Sequence, residues 1–124
     1  MWKEFNANPV GKRCGDCTVR AISAAMQKDW QTTYLGLCLQ GFIMCDMPSS
    51  DSVWGAYLRR KGYKRTAIEE EETYSVRDFC KDHPEGTYIL AISGHVVCVK
   101  DGNYYDSWDS GNEIPIYYWI KEKK

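Results

Sequence analysis

The hydrophobic pattern changes period partway along the chain. In the first half apolar side chains recur at helical spacing, and beyond residue 87 they run as β segments. Val19, Ile22, Ala25 and Met26 predict an amphipathic helix over residues 17–27, with Asp16 as its N-cap. A second helix is expected from Trp30 to about Gln40, capped by Asp29 and stopped by Gly41. Pro48-Ser49-Ser50-Asp51 opens a third, in which Val53, Trp54, Tyr57 and Leu58 share one face and Gly62 ends it. A short helix near Ser75–Lys81 closes at His83-Pro84. Thr87–Ile92 and His95–Val99 then read as strands about a Ser93-Gly94 turn, and Asp101-Gly102 is a strong hairpin signal. Tyr104–Ser107 and Ile114–Ile120 follow, the last placed at a sheet edge by Pro115. Helices segregated ahead of an antiparallel sheet predict an α+β fold, a single domain over residues 1–124.

Composition narrows the function classes. Five Trp and nine Tyr among 124 residues argue for a packed core rather than disorder. A net charge of −1 with interspersed signs gives no electrostatic case for nucleic acid as a partner. Arg59-Arg60-Lys61, the run Glu69–Glu72 and the basic tail Lys121–Lys124 read as solvated faces or ends. No apolar stretch is long enough to cross a bilayer, and the first residues are too polar for a signal peptide, so no membrane partner is expected. A cytoplasmic address follows, or a host's cytoplasm if the gene is carried by a phage. The six cysteines are then expected to be mostly reduced.

The chemistry concentrates in three pieces. Cys17, within Cys14-Gly15-Asp16-Cys17-Thr18, falls where a helix N-terminus favours the thiolate and where its own N–H can meet an oxyanion. Taken alone such a cysteine is as readily a small packing residue, and Cys14 is a neighbouring thiol one turn earlier. The Cys-x-x-Cys pair also fits a redox dithiol or half a zinc site. The preceding segment is loop-like rather than a strand, however, and Cys38 and Cys45 are too loosely spaced for a second ligand pair. Of the two histidines, His83 lies in a polar turn and His95 opens a strand, which makes His95 the expected base. Asp106, across the Asp101-Gly102 hairpin, is preferred over Asp109 for orienting the imidazole, with Trp108 covering the contact.

Cys14-Gly15-Asp16-Cys17-Thr18 resembles the nucleophile signature of the papain-like cysteine peptidases, Cys-Gly-Ser/Ala-Cys-Trp. Gly94-His95-Val96-Val97 is similar to that family's histidine strand, and Asp106-Ser107-Trp108 to its Asn-Ser-Trp segment with aspartate for asparagine. The motifs cover about fifteen residues, and the order Cys, His, Asp matches the small bacterial and phage-type members. The resemblance implies a papain-like fold and a Cys17–His95–Asp106 triad. Gly11 stands where the family places its oxyanion glutamine, so Asn8 and then Asn6 are the expected donors. Thr18 replaces the bulky aromatic, and a deep cleft is not expected from so short a chain.

The expected function is cysteine-dependent acyl transfer: a peptidase or amidase if water is the acceptor, a transferase if an amine is. The partner would be a peptide or protein substrate, with no cofactor and no metal. The alternative is a papain-like scaffold that binds a protein partner without catalysis, through rings such as Trp54, Tyr57, Trp108, Tyr117, Tyr118 or Trp119.

Overall fold

Among the described residues, three helices lie on one side of a six-stranded sheet and a fourth covers the other. The computed structural model describes residues 1–69 and 72–121. Glu70 and Glu71 of the acidic run, and residues 122–124 of the basic tail, lie outside the described residues. The elements run β1 (Trp2–Glu4), α1 (Cys17–Met26), α2 (Trp30–Met44), α3 (Asp51–Arg60), β2 (Tyr63–Ala67), α4 (Val76–Asp82), β3 (Thr87–Ile92), β4 (His95–Lys100), β5 (Asn103–Asp106) and β6 (Pro115–Lys121). The fold is therefore α+β, as the change of period predicts.

The sheet order is β1-β5-β4-β3-β6-β2, and β1 lies parallel to β5 while the other pairs are antiparallel. The sheet is mixed rather than purely antiparallel, because β1 arrives from the far end of the chain. Alternation along the strands divides the core in two. Ile89, Ala91, Val96, Cys98 and Trp119 pack with α1 and α3 residues such as Ile22, Trp54 and Leu58. Tyr88, Leu90, Val97, Val99 and Tyr104 face Val76, Phe79 and Cys80 of α4. Strands covered on both sides explain why β3 and β4 are almost continuously apolar.

The edge position expected for β6 is corrected. Pro115 is the first residue of β6, where a missing N–H is tolerated, and β6 lies between β3 and β2. Its outer partner β2, which pairs Tyr63 with Lys121, carries the short polar edge instead. The expected stop at Gly41 is also corrected: α2 continues to Met44 and ends with Cys45 in the left-handed region, φ 56°. Gly41 serves the exit from the helix. Its carbonyl accepts from Asp46 N–H at 2.9 Å. A Cβ on Gly41 would lie 2.6 Å from the Asp46 carbonyl oxygen.

The Asp101-Gly102 turn between β4 and β5 has positive φ at both residues, 48° and 79°, as a tight two-residue hairpin requires. His83 is not an open surface turn: it ends α4, stacks on Phe79 at 3.9 Å, and places Nδ1 against the Phe79 carbonyl at 2.9 Å. Among the described residues no helix is long and apolar enough to cross a membrane.

Candidate active site

Cys17 is the first residue of α1, and α1 packs along β4. Asp16 occupies the N-cap position, yet its side chain makes no capping bond. It turns inward, accepting from Arg20 Nη1 at 2.6 Å and from Trp30 Nε1 at 2.8 Å. The expected Asp16 cap is thus right in position and wrong in role. No side-chain cap takes up the first-turn N–H groups of α1.

His95 opens β4 after Gly94, whose φ of 69° lets the chain reverse from β3. Asp106 ends β5. The β4–β5 register pairs Cys98 with Tyr105, so Asp106 falls beside Val97, two residues into β4 from His95. His95 and Asp106 are therefore diagonal neighbours on one face, within reach of long side chains. His95 Nε2 lies 2.6 Å from Asp106 Oδ2. The other ring nitrogen, Nδ1, is left for a second partner, and Cys17 lines the same cleft as the His95 ring. A carboxylate that accepts at Nε2 fixes the proton there and aims the opposite nitrogen at sulfur.

Asp106 is wholly buried, at 0% exposure, and each oxygen has two donors. Oδ2 accepts from His95 and from Ser110 Oγ at 2.7 Å. Oδ1 accepts from Arg20 Nη2 at 3.0 Å and from Ser107 N–H at 2.8 Å. Its backbone is pinned as well, the carbonyl receiving Trp2 Nε1 at 3.1 Å and Phe5 N–H at 2.9 Å. The missed strand β1 thus holds the orienting residue in place. Asp109, the competitor, points elsewhere: it takes both its Arg77 contacts, at 2.9 and 3.1 Å, and the Tyr104 hydroxyl. Trp108 lies over His95 with ring centroids 4.9 Å apart and stays 44% exposed, so it covers one side of the imidazole only.

The electrostatics follow from these contacts. Burial pushes the Cys17 thiol up, but the hydrogen bond to His95, the Val96 N–H, the His95 charge and the Thr18 side chain outweigh it and hold it below the ordinary thiol value. Burial disfavours the His95 imidazolium, yet hydrogen bonds and charge from Asp106 and Cys17 raise it to about 9. Burial likewise opposes the Asp106 carboxylate, and donors from His95 and Ser110, the His95 charge and Ser107 N–H keep it low. Cys80 and Cys98 go the other way, burial pushing Cys98 up to about 12. All six cysteines are free. Among the described residues no three His, Cys, Asp or Glu side chains converge as a metal site.

Cys17 and His95 open on a cleft of about 440 Å³ whose lining includes Gly15, Ser49, Asp51 and Ser93. The asparagines expected as oxyanion donors use their carbonyl oxygens to hold their own loop. Asn8 Oδ1 accepts from Val10 and Lys12 N–H at 3.0 and 3.2 Å. Asn6 accepts from Asn8 N–H and donates to the Lys12 carbonyl at 3.3 Å. Short amide side chains satisfying nearby backbone are the rule in such turns. Asn6 still borders a depression with Arg13, Cys14 and Trp108, whereas Asn8 borders neither depression beside Cys17.

Arg20 is the site residue that the hydrophobic pattern hides. An arginine on an amphipathic helix is expected in water, but residues 18–24 of α1 are all buried. The signal was the i, i+4 spacing from Asp16, which puts opposite charges on one helix face. No protein-family model, no curated protein and no solved structure matches the chain.

Proposed function

We propose that this protein is a cysteine-dependent acyl-transfer enzyme of papain-like kind, acting on a peptide or other amide substrate. One arrangement carries the reading: His95, held on Asp106 at 2.6 Å, lines the same cleft as Cys17, and the two charges favour each other, the thiol held low and the imidazole held high. Opposite displacements of that kind describe a thiolate–imidazolium pair, the resting state of an activated cysteine.

In the proposed reaction the Cys17 thiolate adds to the amide carbonyl carbon. The oxyanion that forms meets the Cys17 N–H and the positive end of α1. The His95 imidazolium gives its Nδ1 proton to the leaving amine nitrogen, the C–N bond breaks, and a thioester remains on Cys17. Neutral His95 then takes a proton from the acceptor as it attacks the thioester carbonyl, and the C–S bond breaks to release the acyl product and return the Cys17 thiolate beside the His95 imidazolium. Water gives hydrolysis, and an amine gives transfer. Asp106 stays ionised throughout, holding the ring in its tautomer.

The test is alkylation by iodoacetamide across pH, with each cysteine followed by mass mapping. Cys17 is expected to react at lower pH than any other thiol of the chain, and His95→Ala to remove that advantage. Cys17 titrating like Cys14, or unchanged in His95→Ala, would refute the proposal. A cytoplasmic setting, where all six thiols stay reduced, is part of the same reading.

The non-catalytic alternative is weakened in its original form, because Trp54, Tyr57 and Trp119 are buried core residues. A different surface favours a protein partner: α2 exposes Leu35, Leu39, Phe42 and Ile43. Complex formation unaffected by Cys17→Ala would favour that version.

A further inference from the structure

The turn of α1 that presents Cys17 also carries a buried ion cluster behind the imidazole. Arg20, 4% exposed, bridges Asp16 Oδ1 at 2.6 Å and Asp106 Oδ1 at 3.0 Å, and both carboxylates are themselves buried. Trp30 Nε1 occupies the second oxygen of Asp16. Burying a guanidinium costs more than a single ion pair returns unless its geometry is well satisfied. One buried carboxylate would neutralise Arg20. The chain supplies two.

The charge count explains the second. Asp16, Arg20 and Asp106 together carry one net negative charge, and that charge faces the His95 ring across a 2.6 Å contact. Arg20 and Asp106 alone would sum to zero, and an imidazolium beside them would lack a net counter-charge. We propose that Asp16 and Arg20 are positioning residues for the Cys17–His95 pair. Arg20 locks Asp106 behind the imidazole, and Asp16 offsets the Arg20 charge so that Asp106 still stabilises the protonated ring. The proposal rests on Cys17–His95–Asp106 being the reactive centre.

The surrounding charges leave this balance to the cluster. On the leading loop Arg13 is exposed, donates to the Ser107 carbonyl at 3.1 Å and lies 3.8 Å from exposed Glu4 of β1. Exposed Cys14 adjoins α1, and exposed Asp51 of α3 lines the far wall of the cleft. Trp30 of α2 contributes a neutral donor.

The experiment is the pH midpoint of Cys17 alkylation in the wild type, in Asp16→Asn and in Asp16→Asn/Arg20→Met. Asp16→Asn takes the net cluster charge from one negative to zero, so the midpoint is expected to rise by about one pH unit. The double variant restores one net negative charge and leaves no unpaired buried ion, so its midpoint should return toward the wild type. A merely structural role would lower the melting temperature in both variants and move neither midpoint. An unshifted Asp16→Asn, or a double variant displaced as far as Asp16→Asn, would overturn the proposal. A wild-type Cys17 that titrates as an ordinary thiol would instead undo the acyl-transfer reading itself.

Discussion

At the residue scale, the choice between two aspartates is decided by which one the imidazole reaches. Asp106→Asn removes the carboxylate that holds the Nε2 proton, so Cys17 alkylation at neutral pH should fall at least tenfold. Asp109→Asn weakens contacts with Arg77, the Tyr104 hydroxyl and the Gly111 N–H, none of which touches the imidazole, and Cys17 reactivity should stay within about twofold. Equal losses in the two variants would show that the ring is not oriented through Asp106. A pH effect on stability follows from the same contact. The His95 ring is raised from 6.5 to about 9, so its contribution is complete below pH 6.5 and is lost as pH climbs through about 9. In a Cys17→Ala background the Cys17 part of that rise is gone and the Asp106 part remains, so urea unfolding should lose about 1 kcal/mol as pH rises from 6.5, with the loss ending at a lower pH than in the wild type. The additional change His95→Gln should flatten the slope. Cys17, His95 and Asp106 were legible because each has a type and a local setting that few other residues share. Arg20 was not, since pattern reading assigns a lone basic side chain to solvent, and only the fold brings two carboxylates to it.

At the element scale, local signals located the four helices and four of the six strands among the described residues, and they failed where pairing is remote. β1 is three residues that align with β5 about a hundred positions later, and no nearby pattern marks such a segment. β2 reads as a polar connector because only Tyr63 of its five residues is buried. Pro115 made β6 look like an edge, but it stands at the first residue of the strand, and β2 takes the edge. The α2 ending differs for another reason: Gly41 does not stop the helix, and its missing Cβ makes room for the exit loop. Gly41→Ala forces the Asp46 carbonyl away from 2.6 Å and should destabilise the protein by about 1–3 kcal/mol in urea unfolding. Because this contact lies at the opposite end of α2 from Trp30, the Cys17 alkylation profile should be unchanged. A gain in stability of a few tenths of a kcal/mol, the ordinary result of Gly→Ala in a helix, would mean that the exit loop adapts at no cost.

At the scale of the whole molecule, burial is uneven between the two ends of the helical layer. α1 is enclosed between the sheet and α2, and its buried Arg20 cluster ties it to β5. α2 is the outer helix, and its apolar residues run around most of its circumference. One side supplies Thr33 and Leu37 to the interior, while Leu35 is 70% and Phe42 81% exposed, with Leu39 and Ile43 exposed on the same helix. This lack of a polar face is why the helix showed clearly in the sequence but its orientation did not. Single exposed apolar residues are ordinary; a contiguous set along one helix is not. The face should therefore bind an apolar fluorescent dye in the native state, before any thermal transition begins. Replacing Leu39 and Phe42 together by Lys should abolish most of that signal while stability changes by no more than about 0.5 kcal/mol per site, because little packing is lost at either position. If the double variant unfolds at markedly lower denaturant, those side chains pack on something in the monomer and the face is not open. If stability is kept and the dye still binds, the signal comes from elsewhere. The cavity of about 410 Å³ between the start of α1 and Trp30, Tyr34 and Leu37 of α2 is then the first place to substitute.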